Sequence, residues 1–472
     1  MQHTTSRTPL VAALGALLAD VRPAFRQHRT YTRMVALVLG LLGSLARHTV
    51  TQALLALGAH DTDWSAFYRL WSRQRIRIDR LQQRLIIQTL AHVAPTAPFM
   101  LAVDGVAFPR TSARMPGVGW RKAPGTAPFR PGLALAQRFG ALHWLPPLEH
   151  GYTRAVPLVS YPIFTPKARP AAAPPQTEWA GAATALTTLR ATVDDQGRTA
   201  QRLVVLADGS YDVVALWKAL PAHTTLLVRT ARNRALFHLP PPDQPRRGGR
   251  RKYGPAAPTP ADWIGQPRGW HERTPTIRGH ARRVRYRVEG PFLRKLLPGQ
   301  PLFLVVMGGQ RYEHRQRAQR RQPVPVLVNA VPVAGGGWAL PLPVDEIVAW
   351  LWQRWEVEVA HRELKSGFGV GEMQCWHPVS AVTTIQWGFW LYAVCLLAAY
   401  RTWGTCGGPQ PPGRWRKRAG RWSFTTLWRT LRRELLIQGQ LNGGWGGTRG
   451  DWAVKEQWLL QIERTVEMSA RL

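Results

Sequence analysis

Three carboxylates, Asp104, Asp208 and Glu358, stand out in a chain of 472 residues that carries only 27 acidic side chains. Asp104 ends the apolar run PFMLAVDG (98–105), and Asp208 ends a matching run in RLVVLADGSYD (202–212). Each run reads as a buried strand that delivers a carboxylate at its carboxyl end. Glu358 lies in RWEVEVAHRELK (354–365), among two arginines, a histidine and a lysine. Carboxylates from two strand ends and a helix are what a pair of Mg²⁺ ions needs, with water and phosphate oxygens completing the shells. The chemistry of such a centre is displacement at phosphorus.

The third carboxylate has to be chosen among neighbours. VDEIVAWLWQRWEVEVAHRELKSGFG is too long for a strand, so a helix is expected over 344–366, with Asp345 near its start and Gly367 as its stop. At about 100° per residue, Glu358 shares a face with Arg354, Arg362 and Lys365. Glu356 points about 160° away from Glu358 and Glu363 about 140° away, so both read as surface charges. A salt-bridged helix face, worth only a few tenths of a kcal/mol per pair, is the plain alternative for Glu358. Its combination with the two strand-terminal aspartates favours the metal site, flanked by basic side chains that would grip a DNA backbone.

The charge balance agrees. Lys and Arg number 63 against 27 Asp and Glu, a net charge of +36. Such an excess, spread along the chain, points to a polyanionic partner, and nucleic acid is expected, although a GC-rich coding sequence also enriches Arg, Ala, Pro and Gly. An acidic pocket in so basic a protein would repel DNA unless metal filled it. The cysteines are Cys375, Cys395 and Cys406, without a C-x-x-C. That excludes a disulfide framework and a zinc ribbon and suggests a reducing, cytoplasmic compartment. His377 beside Cys375 has no partner pair to complete a metal site. The apolar run Leu10 to Ala19 faintly resembles a signal peptide but has no A-x-A site and reads as a buried helix. The run at 388–400 is short for a bilayer, so a core helix and no membrane are expected.

The elements that must position these residues change along the chain. Residues 1–95 read as helical, with apolar-periodic segments at 34–46, 50–58 and 63–73 that suit either a helix-turn-helix-like DNA reader or a plain bundle. After the first strand, helices are expected at 178–193 and 212–220 and a strand at 224–230. From 240 to 260 runs a basic low-complexity loop with Arg246, Arg247, Arg250, Arg251 and Lys252. A β-rich stretch follows, in which Arg283, Arg285 and Arg287 alternate with Val284, Tyr286 and Val288, so the strand would carry one cationic face for phosphate contacts. Further strands are expected at 301–309 and 325–333. Trp263, Trp270 and Trp338 in this stretch suit core packing better than stacking on a flipped base. The reading is an α/β chain with a helical head (1–95), a core in two parts (96–230 and 341–403), a β-rich insertion (231–340) and a basic tail (404–472).

With Asp104, Asp208 and Glu358 in this order, the sequence resembles the DDE transposases of bacterial insertion sequences, most closely the insertion sequence four superfamily. The spacings are 208 − 104 = 104 and 358 − 208 = 150 residues, the second long enough for the β-rich insertion of that superfamily. Its helical signature Y-x2-R-x3-E-x6-K is matched by Arg354, Glu358 and Lys365, while the Tyr position holds Leu351. The basic GGRRKYG loop and GFGVGEMQCWHPVS are also similar. The resemblance spans about residues 95–400. It implies an RNase H-like catalytic core, a metal-binding catalytic triad of Asp104, Asp208 and Glu358, two Mg²⁺ ions for which Mn²⁺ can substitute, and cut-and-paste transposition. It also implies double-stranded DNA as partner, both transposon ends and target, with a homodimer coordinating two ends. A DNA-binding protein that has lost cleavage and an RNase H-like nuclease that cuts without joining stay open as alternatives.

Overall fold

The computed structural model describes residues 8–59, 61, 63–122, 132–164, 176–241, 251–309, 311–314, 317–320, 322–409 and 420–438. The head forms the helices α1 (Pro9–Asp20), α2 (His28–Gly43), α3 (Val50–Ala56), α4 (Ser65–Ser72) and α5 (Ile78–Leu90). In α1 the apolar residues Leu10, Leu14, Leu17 and Leu18 are buried, as expected of a core helix.

The central strands follow: β1 (Phe99–Pro109), β2 (Val118–Lys122), β3 (Leu133–Trp144) and β4 (Val156–Ile163), then α6 (Glu178–Asp195), β5 (Leu203–Ala207), α7 (Val214–Lys218) and β6 (Thr224–Arg229). β3 pairs antiparallel with β1, and β2 and β4 both pair antiparallel with β3. On its other side β1 runs parallel to β5, which runs parallel to β6. The residues of β5 are wholly buried, as a parallel strand covered on both faces requires.

The β-rich stretch contributes β7 (Leu236–His238), β8 (Ala256–Ala257), α8 (Pro260–Gly265), β9 (His271–Arg273), β10 (Thr276–Ile277), β11 (His280–Ala281), β12 (Val284–Arg294), β13 (Leu297–Met307), β14 (Arg311–His314), β15 (Arg317–Arg320), β16 (Val324–Asn329), β17 (Val331–Pro332) and β18 (Trp338–Ala339). β16 pairs antiparallel with β6, so β16, β13, β12, β7 and β8 continue the central sheet in that order. A buried charge cluster locks the junction. Asp212, just past β5, accepts hydrogen bonds from Arg294 Nη1 (2.6 Å), Arg234 Nη2 (2.5 Å) and Thr230 Oγ1 (2.7 Å).

The helical stretch that ends the core is interrupted. It divides into α9 (Val344–Gln353) and α10 (Trp355–Arg362), followed by a π-helical turn over Glu363–Gly367. Asp345 lies in the first turn, and Gly367 closes the last one. α11 (Pro378–Trp403) is long and apolar enough to cross a membrane, yet the body of the protein buries it. It packs on α1, α4, α5 and β4, joining the head to the sheet. The described part of the tail, α12 (Phe424–Gln438), also belongs to the core: Leu427 and Leu431 are fully buried, and Glu434 Oε2 accepts a 2.8 Å hydrogen bond from the Val11 amide.

Candidate functional site

The parallel pairing of β1 with β5 ends at Val103 opposite Ala207, and the next residue on each strand is an aspartate. Asp104 and Asp208 are therefore side by side, but only Asp208 follows a strand end: β1 runs on past Asp104 to Pro109, because β3 keeps it paired there, so the expectation that Asp104 ends its strand is corrected. Asp208 has extended backbone and caps the following turn, its Oδ1 accepting from the Ser210 amide (2.9 Å) and hydroxyl (2.6 Å). Asp104 Oδ1 accepts from the Gly105 amide at 2.7 Å. α10 packs on β1, and Glu358 is linked to Asp104 through Arg354. Arg354 joins them: its Nη2 donates to Glu358 Oε1 at 2.7 Å, and its Nη1 stands 3.7 Å from Asp104 Oδ2.

The electrostatics follow from this crowding. Burial, with the Asp208 carboxylate beside it, pushes the Asp104 carboxyl up from 3.8 to about 6, against the Gly105 amide and Arg354, which favour the ionised form. Beneath Glu358, His361 packs on His143 with ring centroids 5.2 Å apart. Burial holds His143 down at about 4 and His361 well below its ordinary value, so both are neutral at pH 7 and add no cation to the floor of the site.

The raised Asp104 carboxyl gives a stability signature in the metal-free protein. As pH rises, an unfolded chain ionises this group near 3.8, while the folded chain holds its proton until about 6. Stability is therefore expected to fall between about pH 4 and pH 6, by at most about 3 kcal/mol, and to level off above. Urea unfolding in EDTA across this window should show the fall in wild type and its absence in Asp104→Asn, the difference between the two isolating this group.

Two of the neighbouring charges are not where the helix wheel put them. Glu356 is 2% exposed, held by Arg421 Nη1 at 2.6 Å and Arg278 Nη2 at 3.2 Å. Glu363 is also enclosed, accepting from Arg154 Nη1 (3.0 Å) and Tyr392 hydroxyl (2.7 Å). Neither is a surface charge, because the β10–β11 hairpin, β4's approach and residues 420–422 cover flanks of the helix that a wheel drawn for one solvent-facing side leaves open. Glu358 is the most exposed of the three, with 34% of its side chain accessible.

The expected cationic face is only partly present. Arg283 and Arg285 are exposed, both ion-paired to Glu272. Arg287 is buried: it pairs with Glu289, lies over the Trp263 ring at 4.8 Å and donates to the Trp263 carbonyl, because α8 covers this side of β12. Trp263 and Trp270 thus pack against arginines inside the fold, as expected, while Trp338 is partly exposed. Arg362, Arg251 and Lys252 are exposed and Lys365 is half-buried. Arg246, Arg247 and Arg250 lie outside the described residues. The Tyr position of the helical signature, Leu351, packs against the core.

One residue close to this centre escaped the sequence reading. Glu178, at the start of α6, approaches Gly105 from the other face of the sheet, and its charge is felt at Asp104. In the sequence it looks like an ordinary acid in a helix's first turn, and no periodicity could have shown where it points.

Two carboxylates on neighbouring parallel strands, with Glu358 tied to one of them through Arg354, make up this acidic cluster. A family description, DDE superfamily endonuclease, matches residues 20–290, more than half of the chain, and the chain belongs to that family. The match contains Asp104 and Asp208 and ends before Glu358. No curated protein matches. Among solved structures the chain is similar to piggyBac transposase in a synaptic complex with hairpin DNA, at 11% identity and a TM-score of 0.34, with 97% of this chain and 76% of that chain covered.

Proposed function

We propose that this DDE endonuclease is a transposase, which binds the ends of an insertion sequence and catalyses metal-dependent cleavage and strand transfer in cut-and-paste transposition. The neighbouring Asp104 and Asp208, with Glu358 of α10 joined to Asp104 through Arg354, carry this reading. The strand order supports an RNase H-like core: three antiparallel strands, β4, β3 and β1, with β5 and β6 added parallel on the far side of β1. Under this reading residues 231–340 are the insertion, and their strands extend the core sheet.

The side chains suit a divalent cation by charge. Asp104 and Asp208 repel one another until one takes up a proton, and a cation would relieve that repulsion. Arg354 already places a positive group between Asp104 and Glu358. Among the described residues no three His, Cys, Asp or Glu side chains stand close enough to hold an ion as placed. Glu358 is turned to Arg354, and the pair must part for a complete site. Asp104 and Asp208 would hold Mg²⁺ or Mn²⁺ between them, with Glu358 on a second ion. Bound there, the metal supplies a water nucleophile at neutral pH and stabilises the leaving oxygen. Asp208, fixed by Ser210, and Asp104, fixed by Gly105, keep the centre rigid. Arg354, once released from Glu358, is placed to bind the phosphate under attack, with Arg362 and Lys365 further along the same face. Hydrolysis and strand transfer are both in-line displacements at a phosphodiester, so one centre serves both. A homodimer would coordinate the two ends.

The test is cleavage of a supercoiled plasmid carrying the element's ends, in Mg²⁺ and in EDTA, with products sequenced across the junctions. Excision together with joined target DNA is expected in Mg²⁺ alone. Cutting without joined products would make the protein a nuclease only, and end binding without cutting would overturn the enzymatic reading.

Phosphate contacts are assigned to Arg283 and Arg285 and to the exposed Arg251 and Lys252. Arg285→Ala is expected to reduce the slope of log K against log salt by about one for duplex DNA, with little loss of stability. Arg287→Ala should instead lower the unfolding midpoint and leave the salt slope unchanged, since that guanidinium is 3% exposed and paired.

A further inference from the structure

Gly105 and Gly209 follow the two aspartates and look equivalent in sequence, yet their surroundings differ. A Cβ on Gly209 would meet nothing nearer than the Arg229 carbonyl at 3.6 Å. On Gly105 it would come within 2.1 Å of Glu178 Oε1 and 3.0 Å of Arg138 Nη2. The first glycine therefore leaves room for the Glu178 carboxylate, which a side chain there would displace, and the second has no such neighbour.

That carboxylate is held in a fixed position. Glu178 Oε1 accepts from the Tyr211 hydroxyl at 3.0 Å, and Oε2 accepts from Arg138 Nη2 at 2.5 Å. Arg138 stands on β3 opposite Ala107 of β1, and Tyr211 closes the turn that begins at Asp208. Side chains alternate along a strand, so Asp104 faces α10 while Gly105 faces α6. Glu178 thus lies behind the two aspartates, touching the strand of one and the turn of the other. An acid in the first turn of a helix gains a few tenths of a kcal/mol from the helix dipole wherever it points. This one turns into the sheet at Gly105 of β1 and the turn that follows β5, with only 17% of its side chain exposed.

We propose that Glu178 is a positioning residue of the reaction centre, a fourth carboxylate that sets Asp104 and Asp208 for cation binding from the opposite face of the sheet. It acts through the Gly105 backbone and through Tyr211, and its charge balances Arg138, which would otherwise present an unpaired cation beside the metal site. This inference rests on the assignment of Asp104 and Asp208 as metal-holding residues.

The experiment is Mn²⁺ titration by calorimetry on the full chain without DNA, comparing wild type, Glu178→Gln and Asp208→Asn. Glu178→Gln keeps the shape of the side chain, removes its charge and retains one of its two acceptor oxygens. Its Mn²⁺ affinity is expected to fall by roughly 10- to 100-fold, the usual cost of altering a group that orients metal ligands, with unfolding in EDTA and binding to duplex DNA unchanged. Asp208→Asn should abolish binding. If Asp208→Asn loses Mn²⁺ while Glu178→Gln binds it as wild type does, the role of Glu178 is refuted and the triad stands. If Asp208→Asn binds as wild type does, the triad assignment fails and the proposal with it. Should Glu178→Gln unfold, Tyr211→Phe serves instead: it deletes one hydrogen bond to Glu178 and keeps both charges, and an unaltered Mn²⁺ affinity there also refutes the role.

Discussion

Glu358→Gln is expected to lower Mg²⁺-dependent cleavage of transposon-end DNA by at least about a thousandfold, about 4 kcal/mol of transition-state stabilisation, while end binding persists. The substitution removes one charge from a side chain that is one-third exposed and touches Arg354, so the fold has little to lose. Plasmid cleavage and a mobility-shift assay on the same preparations check both halves. A variant that binds and cuts like wild type would return α10 to the plain role of a salt-bridged helix. The matching control is Glu346→Ala, an exposed acid in the first turn of α9, expected to leave cleavage unaltered.

Glu356, two residues away, is unsuitable as a control. Glu356→Ala is expected to destabilise the protein by roughly 3–5 kcal/mol, because it takes from the buried Arg421 its hydrogen-bonded counter-charge and from Arg278 a partner. Burial already makes the charged form of Arg421 costlier, and Glu356 is one of the acids that offset this. Urea unfolding in EDTA would measure the loss. A shift within about 0.5 kcal/mol, the range of surface substitutions, would mean that Glu356 does not bear the buried charge of the tail segment. Lost cleavage in this variant therefore reports lost fold, and only Glu358→Gln, with binding and stability retained, reports the chemistry.

The contrast between these glutamates shows where sequence reasoning reaches its limit. Helical periodicity states which residues share a face, and the Arg354–Glu358 contact agrees with it. It does not state what lies against the other faces. α10 is covered on several sides, partly by residues 420–422, which follow it by about sixty positions, so Glu356 and Glu363 became interior ion pairs. Arg287 departs for the same reason: alternation assigned it to an open face, and α8 with Trp263 closed that face.

Strands showed the same division. β1, β5, β6, β13 and β16 were legible as apolar runs rich in Val and Leu, and β12 by its alternation of apolar residues with arginines. β2 sits in a stretch whose Pro and Arg content reads as loop, and β3 (LALAQRFGALHW) mixes small and polar residues of weak strand preference. β3 forms because β1 offers it a paired edge, and β2 because β3 does in turn, a long-range condition that no local window contains.

By itself the sequence determined that two apolar strand segments lead into an aspartate, that one glutamate lies among cationic residues on a helix, and that the chain as a whole suits a polyanion. These are properties of composition and short-range order, set by side-chain chemistry and by the periods of strand and helix. Tertiary structure decided that the two strands are parallel neighbours, that α10 lies across them, that Glu178 stands behind them, and that Glu356 is a structural charge. Those outcomes depend on contacts between residues tens to hundreds of positions apart, which form only when one common core has closed.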